Sequence, residues 1–154
     1  MIRLARPEDE TELMSVAKSI ELFEPAELET VREMFADYYN GTDKTEEFWL
    51  VYEIDAGTVG AAYCAPERMT NGTWNLLFIG IRPEHQGKGY GSAMVRYVEQ
   101  MLVEKGSHLL LVETLADFEN TRAFYKKCGY EEDAHIRDFY EVGADKVIYR
   151  KALG

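Results

Sequence analysis

Three glycines at alternate positions, Gly87, Gly89 and Gly91, stand in the stretch EHQGKGYGS, directly before an amphipathic run. Such a loop leaves backbone N–H groups uncovered. A helix starting behind it adds the positive end of its dipole, so an anion such as a pyrophosphate would fit. Lys88 and Arg82 would add charge. A Walker loop needs G-x-x-x-x-G-K-[ST], and no Gly-Lys-Ser/Thr is present; a dinucleotide fingerprint needs G-x-G-x-x-G, and from Gly87 the third glycine would fall on Ser92. By themselves the glycines leave two readings open, an anion cradle and a plain glycine-rich connection.

Few other residues suggest chemistry by type and spacing. No Ser-His-Asp or Cys-His arrangement offers a nucleophile. His85, His108 and His135 are scattered; His85 stands in the glycine loop, where surface is its default. Cys64 and Cys128 lack ligand spacing and read as reduced thiols of a cytosolic protein, so no metal is expected. Glu113 closes the apolar run LLLVE, where burial could raise a carboxylate towards neutrality. The other reading of Glu113 is an exposed strand-end charge or a salt bridge. Glu24, Glu27, Glu29, Glu33 and Asp37 form either a solvated helix face or one that attracts cations.

The elements that must position these residues follow from pattern. IRLARPEDETELMSVAKSI reads as a short strand and a helix, with Pro7 at the helix start. PAELETVREMFADYY repeats Leu28, Val31, Met34, Phe35 and Tyr38 at helical spacing and ends at Asn40-Gly41. FWLVYEI and VGAAYCA, joined by DAGT, form a hairpin. TWNLLFIGI is nearly all apolar and is expected to be central and covered on both faces, with Gly80 marking a bulge or a close approach. A helix then runs to about Lys105 with Met94, Val95, Val98, Met101 and Leu102 on its buried face. HLLLVET is another buried strand, DFENTRAFYKKCGY a helix ended by Gly129, and YEEDAHIRDFYEV with DKVIYRKAL a closing antiparallel pair. The order implies a mixed α/β domain with its chemistry at the ends of the two buried strands.

The chain has 154 residues, so a single domain spanning residues 1–154 is expected. Hydrophobic residues make up 46%, which excludes a disordered chain. No apolar run approaches the roughly 20 residues that cross a bilayer, and the N-terminus has no apolar leader, so no membrane partner is expected. The formal net charge of −11 makes nucleic acid a poor partner. It suits solubility, or attraction of a cationic substrate such as an amine.

Gln86-Gly87-Lys88-Gly89-Tyr90-Gly91 resembles the Q/R-x-x-G-x-G/A signature of the GNAT superfamily, the Gcn5-related N-acetyltransferases. IGIRPEHQ before it and GSAMVRYVEQ after it are similar to that family's central strand and helix. Downstream, NTRAFYKKCGY, with Phe124-Tyr125 and Gly129-Tyr130, is similar to its late helix. The two motifs stand in family order and spacing. The resemblance implies the family's fold, a mixed and mostly antiparallel central sheet flanked by helices. It also implies acetyl-CoA as cosubstrate. The pyrophosphate would lie on Gln86, Gly87, Lys88, Gly89, Tyr90, Gly91 and Ser92. The pantetheine arm would pair along Phe78, Ile79, Gly80 and Ile81.

Direct acetyl transfer to an amine needs a proton acceptor, polarisation of the thioester and a proton for the departing thiolate. Tyr125 matches the tyrosine that many members use as the acid; its other reading is packing. Many members carry a glutamate eleven residues before the signature Gln/Arg, and here that position is Asn75, which cannot act as a base. Twelve residues before the tyrosine stands Glu113, where ribosomal-protein N-terminal acetyltransferases use a glutamate. Water-mediated deprotonation is the third route. The usual pantetheine-binding asparagine is replaced by Phe118, so Asn120 and Phe124 are the candidates there, Asn120 alternatively helping to start the helix. IRDFYEVGADK is similar to the Tyr-rich segment of the N-terminal acetyltransferases, which sets Tyr140 with Asn75 on the substrate side. Phe23, Tyr38 and Tyr39 come from the region that shapes acceptor pockets. The resemblance thus implies a cytoplasmic N-acetyltransferase acting on a small amine or amino acid. The alternatives are a protein α-amine acetyltransferase and a non-catalytic acyl-CoA-binding module. Homodimers are common among such proteins.

Overall fold

The computed structural model describes residues 1–41 and 46–154 of the chain. Among the described residues there are seven strands: β1 (Ile2–Leu4), β2 (Phe48–Ile54), β3 (Gly57–Pro66), β4 (Thr73–Ile81), β5 (Leu109–Leu115), β6 (Glu131–Glu141) and β7 (Ala144–Ala152). The helices are α1 (Glu10–Ser19), α2 (Pro25–Asn40), α3 (Tyr90–Glu104) and α4 (Glu119–Lys127). The strands hydrogen-bond in the order β1-β2-β3-β4-β5-β7-β6. Pairs β1–β2, β2–β3, β5–β7 and β6–β7 are antiparallel, and β4–β5 is parallel. The expected mixed, mostly antiparallel sheet with flanking helices is therefore the observed architecture.

The chain forms two compact units: residues 1–65 with 78–97, and residues 66–77 with 98–154. In the first unit, α1 and α2 cover one face of β2 and β3. Trp49 and Val51 alternate along β2 towards Leu13, Val16, Ala17, Val31 and Phe35. Trp49 is fully buried, stacked on Tyr63 at 4.5 Å and meeting Phe35 edge-on at 5.9 Å. Aromatic pairs in these geometries add to the burial of apolar area. α2 has Pro25 in its first turn, and the Glu27 carboxylate accepts the Glu24 N–H at 3.0 Å.

In the second unit β5 buries alternate residues, Leu110, Val112 and Thr114. The expectation of a strand covered on both faces therefore gives way to ordinary alternation there. β4 also departs from it at Leu77, which is 47% exposed. The Glu99 carboxylate of α3 accepts the Tyr130 hydroxyl at 2.6 Å and the Lys151 ammonium at 3.1 Å, while Lys151 also donates to the Cys128 carbonyl at 2.9 Å. One carboxylate thus joins α3, the end of α4 and β7. Gly129 ends α4 with φ +94, a conformation that favours glycine.

The first strand is anchored electrostatically. The Arg3 guanidinium donates to both Asp9 oxygens, at 2.8 and 2.9 Å, and to Glu53. The Asp9 carboxylate also accepts the Arg6 N–H at 2.7 Å. The bond from Arg3 holds the Asp9 carboxyl below its ordinary value, against the opposing effect of burial. A depressed folded-state pKa adds stability above the unfolded pKa, near 3.9, and that stability is lost as pH falls through the folded value. Asp9→Asn should therefore be less stable than the wild type at pH 7. It should also lack part of the acid-induced loss below about pH 4, as read by urea unfolding across pH.

Candidate active site

The glycine loop and the end of β4 belong to the first unit. Phe78 packs between Phe23 and Trp49, each with ring centroids 5.9 Å away. β4 runs through Gly80 to Ile81, and the close approach at Gly80 is by side chains: a Cβ there would meet the Phe78 ring at 3.1 Å and Ile20 at 3.4 Å. A single turn of 3-10 helix, Pro83–His85, leads into the loop. Gln86 locks its base, with its N–H bonded to the Pro83 carbonyl at 3.2 Å and its Nε2 to the Ile81 carbonyl at 2.9 Å. Its backbone N–H is therefore already used. Gly87 and Gly89 have φ of +77 and +89, and a Cβ at either would meet nothing within 4 Å. The requirement for glycine is conformational at these two positions.

α3 begins at Tyr90, with the Gly89 carbonyl accepting the Ala93 N–H at 3.0 Å. Tyr90, Gly91 and Ser92 occupy the first turn, where N–H groups have no carbonyl one turn back to bond. Lys88 is exposed beside them. Tyr90 is braced by Tyr52, whose ring lies 5.0 Å away. Arg82 does not face this loop as an anion ligand. Its guanidinium donates to the Thr58 carbonyl at 2.7 Å, the Ser15 hydroxyl at 2.9 Å and Glu12 at 2.9 Å, which ties α1 to β3.

The second unit carries Asn75, Glu113, Tyr125, Tyr140, Asn120 and Phe124. The parallel β4–β5 ladder pairs Asn75 with Leu111 and ends at Leu76 with Val112. Glu113 lies inside β5, not at its end, opposite Ile148 of β7. Its diagonal neighbour on the same face is Lys146, and the Lys146 ammonium bonds the Glu113 carboxylate. The other Glu113 oxygen accepts Asn75 Nδ2 at 3.2 Å, and the same amide donates to Glu67 at 3.0 Å. Lys146 also sits 3.9 Å over the Phe139 ring. The neighbouring Tyr140 feels this cluster: burial, then the Glu113 charge, raises its phenol above the ordinary value. Lys146 and Glu67 are the residues that sequence reading missed. Both come from distant segments, and the signal for Lys146 was its period-2 place in DKVIYRK.

Tyr125 is 4% exposed, its ring packed by Phe124 at 5.4 Å, Tyr130 at 5.9 Å and Tyr149 at 6.1 Å. Burial, with a smaller contribution from Cys128, raises its phenol, so the group is protonated at neutral pH. Arg122 fixes this helix by donating to the Tyr149 hydroxyl at 2.9 Å, the Ala116 carbonyl at 2.9 Å and Glu132 at 2.6 Å. Asn120 lies inside α4 and is exposed; Phe118 is the N-cap, so Asn120 does not start the helix.

Residues 11–130 match the model of the Acetyltransferase (GNAT) family, and the chain belongs to that family. It is 24% identical to an acetyltransferase of Yersinia pestis over 85 residues, 55% of this chain. The chain spans 58% of the length of that curated relative in the match. A crystal structure of a GNAT-family protein from Desulfovibrio desulfuricans superposes with TM-score 0.92 and 27% identity, covering 100% of this chain and 99% of that one. An aminoglycoside 6'-N-acetyltransferase complexed with coenzyme A shares the fold, with TM-score 0.76 and 15% identity over 99% of this chain and 96% of that one.

The Glu113–Lys146 pair yields a test of its own. Removing one partner of a largely buried pair strands the other charge, at a cost of roughly 3–5 kcal/mol. Lys146→Met should destabilise by about that amount in urea unfolding, and adding Glu113→Gln to it should restore most of the loss.

Proposed function

We propose that the protein is an acetyl-CoA-dependent N-acetyltransferase that acts on the primary amine of a small molecule or amino acid. The observation that carries this reading is the glycine loop. Positive φ at Gly87 and Gly89 feeds the chain into α3, whose first turn offers the N–H groups of Tyr90, Gly91 and Ser92. Backbone donors at a helix start suit a pyrophosphate better than any other feature of this surface. The exposed Lys88 ammonium supplies a cation beside it. The coenzyme A found in the aminoglycoside enzyme of the same fold supports the choice of ligand.

When bound, the cosubstrate supplies an activated acetyl group as a thioester. The chain's own residues do the rest. Phe78, Ile79, Gly80 and Ile81 present a β-strand edge to the pantetheine arm, which is bound as an added strand. Tyr125, kept protonated by burial, gives its proton to the departing sulfur. Glu113, fixed between Lys146 and Asn75, sets a negative charge where a cationic amine is drawn in.

Coenzyme A release from acetyl-CoA across a panel of primary amines tests the reading. Tight coenzyme binding without release on any member would favour a binding module. Tyr125→Phe should lower kcat by roughly 10- to 10³-fold while leaving acetyl-CoA affinity unchanged in calorimetry. Full activity in that variant would return Tyr125 to packing. Gly89→Val should weaken acetyl-CoA binding at least about tenfold, because a β-branched residue resists φ near +89 and turns the loop amides away.

A further inference from the structure

Asn75 is 5% exposed, and its one side-chain amide serves two neighbouring carboxylates. Its Nδ2 donates to both Glu67 and Glu113, while its Oδ1 is buried and has no donor among the described residues. Turning the amide over would set Oδ1 against two carboxylates, so the orientation is forced. A buried acceptor left unmet costs free energy and calls for an explanation.

The two carboxylates differ. Glu113 is bonded by Lys146, whereas Glu67 has no cationic partner among the described residues. The cluster thus holds two carboxylates against one ammonium. Glu67 is also well placed in backbone terms. It follows β3 directly, its N–H bonds the Thr73 carbonyl at 2.8 Å, and its carbonyl accepts the Thr70 hydroxyl at 2.7 Å. What the cluster lacks is a donor for Asn75 Oδ1 and a cation for Glu67.

We propose that Asn75 Oδ1 and the Glu67 carboxylate form the subsite for the acceptor's ammonium group, and that Glu67 takes its proton. This assignment rests on the reading of the chain as an N-acetyltransferase. A primary ammonium brings both missing things, N–H donors and a positive charge. The proton balance is complete. One ammonium proton passes to the Glu67 carboxylate and then to solvent, and the freed nitrogen lone pair forms the N–C bond. The C–S bond breaks, and the sulfur takes the Tyr125 proton. The remaining surplus proton on nitrogen returns to the Tyr125 oxygen. Lys146 already bonds Glu113, which leaves Glu67 as the carboxylate of the cluster with no cation beside it among the described residues.

Binding and turnover are measured separately. In the first arm, the Asn75 side-chain amide is followed by ¹⁵N NMR, assigned by its loss in Asn75→Ala, during titration with n-butylamine and with n-butanol at neutral pH. The resonance should shift saturably with the amine and not with the alcohol. Glu67→Gln should weaken that response about tenfold or more, the loss of a charge-assisted bond. In the second arm, kcat/KM for an amine acceptor is measured across pH. Glu67→Gln should lower it roughly 10²- to 10³-fold near pH 7, with the deficit shrinking as the amine deprotonates in solution. Glu67→Gln should bind acetyl-CoA as the wild type does. No amine-specific shift in the wild type, or turnover in Glu67→Gln within about twofold of wild type at pH 7, would overturn the assignment. An amine-specific shift without transfer to any amine would keep the subsite and sink the transferase reading. Transfer unaffected by Glu67→Gln would do the reverse.

Discussion

A carboxylate removed from water must meet a cation or several donors, because an unpaired buried charge costs more than a fold of this size can spare. Much of the second unit is arranged around that constraint at Glu113. The antiparallel register of β5 with β7 sets Lys146 two residues from the point opposite Glu113, on the same face of the sheet. The parallel register of β4 with β5 brings Asn75 to the other oxygen. A slip of one residue in either ladder would turn one partner to the opposite face. The charge cluster and the strand pairing therefore specify each other.

The first unit answers a different demand. A loop that offers its amides to an anion must keep those amides from bonding one another, and two residues of positive φ achieve this. The base of the loop is then held from below, by Gln86 on the Ile81 carbonyl and by Arg82 between α1 and β3. Beneath lies the aromatic packing of Trp49, Tyr63, Phe35 and Phe78, with side chains fixed in few rotamers. Preorganised backbone on a rigid base loses little freedom when a ligand arrives.

Periodicity made most of the fold legible. TWNLLFIGI and FWLVYEI are strands with the bounds read from sequence, and PAELETVREMFADYY is a helix extended by one residue. Apolar density misled at β5 and at Leu77, because a run of leucines does not say which face is covered. The glycine loop was legible because positive φ selects a residue type. The charge cluster was only half legible. Asn75 and Glu113 drew notice, but Lys146 and Glu67 are their partners only through registers that no local pattern encodes. Arg82 was misjudged for the same reason: its three acceptors come from α1 and β3, far away in the chain.

β6 is one of the two edge strands, and nearly all of its residues are exposed. Its ladder to β7 breaks twice, between Glu132 and Ala134 and between Ile136 and Glu141. In the second break Asp138 takes φ of 55, its N–H bonded to Asp145 and its own carboxylate accepting the Gly143 N–H. Glu131, Glu132, Asp133 and Arg137 line the remainder. A strand arriving from another molecule would need a straight row of backbone groups and an uncharged flank, and finds neither. The sheet thus ends in a frayed, charged selvedge that discourages stacking into fibrils, even with Phe139, Tyr140 and Val142 open to water.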